Sequence, residues 1–111
     1  TLRELDLSWN NISRGSANVL GAAVASAQLT ILRLAHNKLG CEGCQRLAHA
    51  LRRNEMLRTL DLSFTGMSAR AALVMASALR DNKTLSRLGA SHNPLSRSGA
   101  RALLQAVRQR A

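Results

Sequence analysis

The sequence predicts an α/β solenoid, in which short strands and helices alternate along the chain and pack side by side. The first observation is a five-position pattern of apolar and turn residues that recurs at offsets of 27, 28 and 28 residues. The second is a pair of apolar residues, four positions apart, that follows each copy at a constant distance, as on one face of a helix. The third is that 46% of the residues are apolar but only 2% are aromatic, which indicates a thin aliphatic core.

Each copy of the pattern predicts a short strand followed by a turn. Two leucines at alternate positions face the core, and the turn position that follows favours Asn. The four copies are Leu2, Leu5, Leu7, Asn10, Ile12; Leu29, Leu32, Leu34, Asn37, Leu39; Leu57, Leu60, Leu62, Thr65, Met67; and Leu85, Leu88, Ala90, Asn93, Leu95. Thr65 replaces the turn Asn in the third copy, so we expect fewer hydrogen bonds at that turn. Ala90 replaces a core Leu in the fourth copy, so we expect the loosest packing in the last unit.

The second half of each unit predicts a helix, near 16–26, 43–53, 70–80 and 98–109. Small residues stand where each helix would begin, which allows the helix to lie close to the sheet. The later helices end in Arg52-Arg53-Asn54, Arg80-Asp81-Asn82 and Arg108-Gln109-Arg110, which places cations at the negative end of the helix dipole. The apolar pairs on the inner faces are Leu20 and Val24, Leu47 and Leu51, Met75 and Leu79, and Leu103 and Val107.

Together these units resemble the leucine-rich repeats of the ribonuclease-inhibitor-like class, and residues 39–54 match the second half of that repeat closely. The resemblance covers the whole chain as one region of four repeats, at about 1–28, 29–56, 57–84 and 85–111. It implies a right-handed β-α solenoid, the leucine-rich repeat horseshoe, with a concave parallel sheet and convex helices. Because neither end carries a capping pattern, we expect a fragment of a longer solenoid whose neighbouring repeats cover its ends.

The resemblance implies a non-catalytic protein-interaction module that binds a protein partner through the concave sheet. The class also includes ciliary subunits, the Ran GTPase activator, tropomodulin and NOD-like sensors. A structural subunit of a ciliary or microtubule-associated assembly and a regulatory domain of a GTPase activator or sensor therefore remain alternatives. We expect no catalytic residues and no cofactor, because no Ser, His and Asp converge and no Gly-rich phosphate loop occurs.

Candidate binding residues lie in columns on the predicted concave face. One column aligns the rings of Trp9, His36, Phe64 and His92, which strands about 4.8 Å apart would stack into a row. The row fits a partner-binding ridge, since aromatic anchors concentrate interface energy, and it equally fits rings that pack against the next turn. The charged candidates on the same face are Glu4, Asp6, Arg33, Asp61 and Arg87.

The net charge of +10 predicts an acidic partner. The balance of basic over acidic residues is 0, +3, +2 and +5 in the four units, so positive potential grows toward the C-terminus. Candidate basic residues on the convex helices are Arg46, Arg53, Arg101 and Arg108, and an alternative is that they only keep the solenoid soluble. A nucleic acid is a lesser candidate because few aromatic residues are present to stack bases. We expect an intracellular, cytoplasmic protein, because no bilayer-spanning or signal segment occurs.

Two cysteines in the segment Cys41-Glu-Gly-Cys44 suggest a redox or zinc site, with His36 and His49 nearby in sequence. Alignment of the units argues against both possibilities. Cys44 stands where the other units have Ala17, Ala72 and Ala100, which predicts a buried small residue, and Cys41 falls at a predicted loop position. We therefore expect neither a metal nor an obligatory disulfide.

Overall fold

The computed structural model describes residues 2–26 and 28–110, and within them four strands alternate with four helices. The strands β1 to β4 are Glu4–Asp6, Ile31–Arg33, Thr59–Asp61 and Arg87–Gly89. The helices α1 to α4 are Ala17–Ser26, Gly40–Arg53, Ala69–Asp81 and Ser96–Gln109, and a turn of 3-10 helix over Arg14–Ser16 precedes α1.

The strands form one parallel sheet in sequence order. Glu4 pairs with Ile31, Ile31 with Thr59, and Thr59 with Arg87, which confirms the alignment of the units. Each helix packs against the next one along the chain. The result is the predicted α/β solenoid with its sheet on the concave side and its helices on the convex side.

The core lies between the sheet and the helices, and it is aliphatic as predicted. Leu32, Leu34, Leu60 and Leu62 are at most 2% exposed, and they meet helix residues of the same units such as Leu47, Leu51, Met75 and Leu79. Close approach of the layers depends on small residues. At Gly99, a Cβ would lie 3.2 Å from both the Cα of Ala69 and the Cβ of Ala72, so a larger residue would push α4 away from α3.

The predicted helix starts are wrong for α2 and α4, which begin three residues before 43 and two before 98. The additional helical residues, 40–42 and 96–97, are exposed or half-buried, so no apolar periodicity marks them in the sequence. Cys41 consequently lies inside α2 rather than in a loop. Helix α3 begins nearer its predicted position because Ser68 caps it, accepting a hydrogen bond from the backbone N–H of Ala71.

The side chains of buried Asn37 and half-buried Asn93 connect the turns of neighbouring units. The Oδ1 atom of Asn37 accepts hydrogen bonds from the backbone N–H groups of Asn10 and Ile12, at 3.0 and 2.9 Å. Its amide nitrogen donates to the carbonyl oxygen of Leu7 at 3.0 Å and to that of Leu34 in its own unit at 2.9 Å. Asn93 makes the corresponding bonds to the third unit. These bonds satisfy backbone groups that the turns leave without partners in the sheet.

Thr65 fills this position differently. Its hydroxyl donates to the carbonyl oxygen of Leu62 at 2.6 Å, inside its own turn, and lies 3.5 Å from the sulfur of Cys44. The other described connections of this kind run from Asn37 and Asn93 to the preceding turn. The helix that precedes Asn37 has Ala17 at the position equivalent to Cys44, and the helix that precedes Asn93 has Ala72 there. A smaller turn residue and a larger helix residue thus occur together in this one interface.

We expect Thr65 and Cys44 to be energetically coupled. Thr65→Asn alone should destabilise the protein by about 1–2 kcal/mol, because the longer side chain is forced against the Cys44 sulfur. Adding Cys44→Ala should recover that loss, with a coupling energy of at least about 1 kcal/mol from urea unfolding of the four proteins. Additive effects of the two substitutions would show that the pair is not a packing unit.

The last unit is loosely packed, but it is not looser than the first unit, in which Leu2 is 63% exposed and Leu5 and Leu7 are half-buried, so the expectation that Ala90 makes it the loosest is not confirmed. Leu88, Ala90 and Leu95 are only half-buried, and in α4 the buried residues are Gly99 and Ala106. An open apolar cleft of about 410 Å³ lies beside them, with Leu103 and Val107 on its wall.

Candidate functional site

Four rings at the carboxyl ends of the strands form a continuous stack. We call it the ring ladder, and it consists of Trp9, His36, Phe64 and His92. Neighbouring ring centroids are 3.6, 4.2 and 4.2 Å apart, with planes inclined by 8° to 15°. These distances are shorter than the roughly 4.8 Å between parallel strands, so the rings converge. The predicted row of rings is confirmed.

Every residue of the ring ladder has a left-handed backbone conformation, with φ of 65°, 59°, 56° and 56° in chain order. Non-glycine residues enter this region at a cost of about 1–2 kcal/mol, and Asn or Asp tolerate it best. Bulky Trp9 and Phe64 are outliers there, whereas histidine, like Asn and Asp, occurs in this region more often than most residues. The chain adopts the strained conformation at the same place in four units, and each time it carries a ring there. The sequence pattern gave no sign of these φ angles.

Aspartates on the first and third strands help to set the turn that presents the rings. Oδ1 of Asp6 accepts from the backbone N–H of Ser8 at 2.9 Å, and Asp61 makes the same bond with Ser63 at 3.0 Å. The hydrogen bonds from Ser8, together with the positive charge of Arg33, hold the pKa of Asp6 below its ordinary value. The two predicted binding carboxylates therefore also support the turns that carry Trp9 and Phe64.

The ring ladder remains open to solvent. The rings pack against one another, which is the contact that the packing interpretation requires, but Trp9 stays 74% exposed and Phe64 42% exposed. Stacking covers ring faces inside the row, so the interior rings offer mainly their edges. Those edges carry the positive side of the ring quadrupole and, in the histidines, polar nitrogen atoms.

The charged concave candidates share the sheet face with the ladder, as their strand positions require. Glu4, Asp6 and Arg87 are exposed, whereas Arg33 and Asp61 are half-buried. Asp61 leans toward the space beside Gly89, where a Cβ would lie only 2.4 Å from its Oδ1 atom. With three acids and two bases, this face does not carry the excess positive charge of the chain.

The predicted convex arginines do not line a single surface. Arg46 lies on α2, where it pairs with Glu42 at 2.8 Å and contacts Asn18. Arg101 and Arg108 line a cleft of about 430 Å³ on α4 together with Arg97. Arg53 lies at the end of α2, in a different cleft.

The two cysteines differ in burial and in chemistry. Cys44 is fully buried, as predicted, and burial raises the pKa of its thiol. Hydrogen bonds from Ser68 and Gln45 lower the pKa of Cys41, which is half-buried. Among the described residues, no three His, Cys, Asp or Glu side chains lie close enough to share a metal ion. No described helix has the length and hydropathy needed to cross a membrane.

A second pair of buried asparagines, at the opposite ends of the strands, was missed by the sequence analysis. Asn82 donates to the carbonyl oxygens of Leu51 and Asn54 in the preceding unit, at 2.8 and 2.9 Å. Asn54 likewise donates to the carbonyl oxygen of Val24 at 3.0 Å. The available signal was the recurrence of Asn at an offset of 28 residues, three positions before the leucine that begins the next unit.

Solved structures with the same architecture include parts of leiomodin-1 and tropomodulin. The leiomodin-1 actin-binding site 2 superposes with a TM-score of 0.85 at 15% sequence identity, over 96% of this chain and 64% of that one. The C-terminal domain of tropomodulin from Caenorhabditis elegans gives a TM-score of 0.60 at 16% identity, over 97% and 83%. At these identities the likeness establishes the fold.

Sequence comparison identifies the repeats themselves. The human NACHT, LRR and PYD domains-containing protein 12 is 41% identical over 71 residues, covering 60% of this chain and 6% of the human protein. The chain thus matches only a small part of that relative's length. A leucine-rich repeat model matches residues 1–15, 26–48 and 53–76, which is more than half of the chain. The chain belongs to the leucine-rich repeat family.

Proposed function

We propose that this chain is a non-catalytic protein-interaction module of the ribonuclease-inhibitor-like class, and that it holds a protein partner against its concave sheet. The ring ladder is the principal contact, and Glu4, Asp6, Arg33, Asp61 and Arg87 surround it with charges of both signs. An intracellular, cytoplasmic location fits this role.

The observation that carries the proposal is the repeated left-handed conformation of the ring ladder. Backbone strain that recurs at one place indicates a functional demand, because a strained backbone persists only where the surrounding structure enforces it. Stacking offsets part of the cost, at about 0.5–1.5 kcal/mol for each ring pair. Asn at the same positions would reduce the strain, but it would not present an exposed aromatic row. Exposed aromatic residues are the side chains that most often dominate binding energy.

A protein fits the ring ladder better than a nucleic acid does. Proteins that bind single strands stack bases on open aromatic faces. In the ladder the inner faces are already covered by neighbouring rings at 3.6 to 4.2 Å. Ring edges and imidazole nitrogens instead match the carbonyl and carboxylate oxygens of a protein surface.

Monomeric actin is the first partner to test, because the structurally similar leiomodin-1 domain is an actin-binding site. Trp9→Asn and Phe64→Asn are the informative variants, since Asn tolerates the left-handed conformation and keeps the turn intact. Each should weaken binding by roughly 1–3 kcal/mol, as the loss of an interface anchor does. Titration calorimetry gives the affinity, and a thermal melt of each variant shows that the fold persists.

Leu73→Ala and Leu104→Ala are matched controls. Both leucines are exposed apolar residues, at 51% and 61%, but they lie on helices away from the sheet face. If actin does not bind, crosslinking and affinity capture with the same four variants identify the partner that depends on the ladder. Unchanged binding by folded Trp9→Asn and Phe64→Asn proteins, combined with loss on reversal of Arg46, Arg53, Arg101 and Arg108 to Glu, would contradict the concave site. That pattern would favour a structural subunit that docks through its convex helices.

A regulatory domain of a sensor protein is the second candidate. The similarity to a human protein that contains NACHT and PYD domains favours it. In that role the ladder variants would alter the activity of an attached or bound domain, whereas a pure binding module would show a change of affinity alone.

A further inference from the structure

A second surface lies at the edge of the sheet opposite the ring ladder. All four strands run in parallel, so the helices end and the strands begin along one common rim. Two adjacent clefts open there, of about 420 Å³ between the ends of α2 and α3 and about 340 Å³ between the ends of α3 and α4. Asn82 and Lys83 line both clefts, so the two form one continuous groove, which we call the basic rim.

The basic rim concentrates positive charge. Its charged lining residues comprise five cations and two carboxylates, and these are Arg52, Arg53, Arg80, Lys83, Arg110, Glu55 and Asp81. Asp81 pairs with Arg52 at 3.4 Å, so these two charges offset each other and four cations and one carboxylate remain. The described residues around the smaller cleft include three cations, namely Arg80, Lys83 and Arg110, and no carboxylate.

Helix stabilisation accounts for only part of this charge. A cation in the last turn of a helix interacts favourably with the helix dipole, which explains Arg52, Arg53 and Arg80. Lys83 lies beyond the end of α3, and its side chain is exposed. Arg110 occupies the position that Asn54 and Asn82 hold in the preceding units, where those asparagines connect neighbouring turns. Because Arg110 is the C-cap of α4, the helix dipole also favours its charge, so Lys83 is the rim cation that helix stability does not explain.

We propose that the basic rim binds an extended acidic peptide of a partner protein, independently of the concave site. Arginine forks match carboxylate groups in two-point hydrogen bonds, and lysine adds a mobile charge between the two clefts. The buried Asn54 and Asn82 fix the floor of the groove, since each bonds the preceding unit and its own following turn. The described lining residues include no aromatic ring for base stacking, which favours a peptide over a single-stranded nucleic acid.

The test measures anisotropy of a fluorescein-labelled peptide of about ten residues, in which Glu alternates with Ser, against the full 111-residue chain. The triple variant Arg80→Gln, Lys83→Gln, Arg110→Gln should lose about tenfold in affinity, equivalent to about 1.4 kcal/mol. Binding by the unmodified chain should weaken as salt is raised from about 50 to about 150 mM, because the Debye length shortens.

The matched control is Arg97→Gln, Arg101→Gln, Arg108→Gln, which removes the same charge from the outer face of α4. We expect it to change the affinity by less than about threefold, since non-local charges are screened. Equal losses in the two triple variants would overturn the proposal, because binding would then follow net charge alone. A single-stranded RNA of equal charge that depends on the rim more strongly than the peptide would overturn it in favour of nucleic acid. Trp9→Asn should leave peptide binding unchanged, so the two proposed surfaces can fail separately.

Discussion

Replacing Asn37 with alanine should cost about 3 kcal/mol of unfolding free energy, a large fraction of the roughly 5–15 kcal/mol that stabilises a domain. Asn37 is 3% exposed, and its side chain joins two units through acceptor bonds from Asn10 and Ile12 and a donor bond to Leu7. Truncation leaves several of these backbone groups without partners, and a buried one costs about 1–3 kcal/mol. The expected decrease in melting temperature is roughly 15 °C.

Asn10 provides the control within the same chain. It occupies the equivalent position of the first unit, but it is exposed, and its amide donates to the carbonyl oxygens of Leu7 and Ser8 in its own turn. Asn10→Ala should therefore cost about 1 kcal/mol or less, since these acceptors can turn to water. Urea unfolding of both variants measures the difference. Equal losses would mean that the asparagines stabilise their own turns and not the contact between units.

The solenoid could be predicted because its determinants are periodic. Leucines at offsets of 27 and 28 residues fix which strand residues face the core, and the pairing of Leu5, Leu32, Leu60 and Leu88 follows from them. The same register places the four rings in one row, so the ring ladder follows from counting alone. Burial of Cys44 was predictable for a similar reason, since alanines hold the equivalent positions.

The backbone conformation of the turns and the contacts at the helix ends could not be predicted from the sequence. The sequence shows four rings in register, but their left-handed conformation belongs to the turn, and it recurs where Arg33 and Gly89 stand in place of the two aspartates. The roles of Asn54 and Asn82 were missed because cations beside them already explained the helix ends.

The side of the solenoid on which the positive charge lies could not be predicted from the sequence either. The charge balance of each unit is countable, but it does not say on which side of the solenoid a cation lies. That side depends on where each helix ends. Arg53 lies in a rim cleft and Arg101 in a cleft on α4, although both were expected on one convex face. The near-balance of charge on the concave face is one reason why we propose the basic rim, and not the sheet, as the surface for an acidic peptide.

Truncation of the sheet leucines should show how burial varies along the solenoid, and Leu60→Ala should have the largest effect in this series. Leu60 is 2% exposed and has a strand on either side, so its removal creates a sealed cavity and costs about 3–4 kcal/mol. Leu88 pairs with Leu60 in register, but it is half-buried and borders the open apolar cleft. Leu88→Ala should cost only about 1–2 kcal/mol, because solvent already reaches that cleft.

Leu5 and Leu32 form the corresponding pair on the first two strands. Leu32 is 1% exposed and Leu5 is half-buried, so Leu32→Ala should be the more destabilising of the two substitutions, by about 2 kcal/mol. Chemical denaturation of the four variants, analysed with one common dependence of unfolding free energy on denaturant concentration, gives the loss of stability at each strand. Equal costs at Leu60 and Leu88 would show that the last unit is as firmly packed as the third, despite Ala90. Low costs at the two end strands and high costs at the two inner ones would show that each unit depends on both of its neighbours for a closed core.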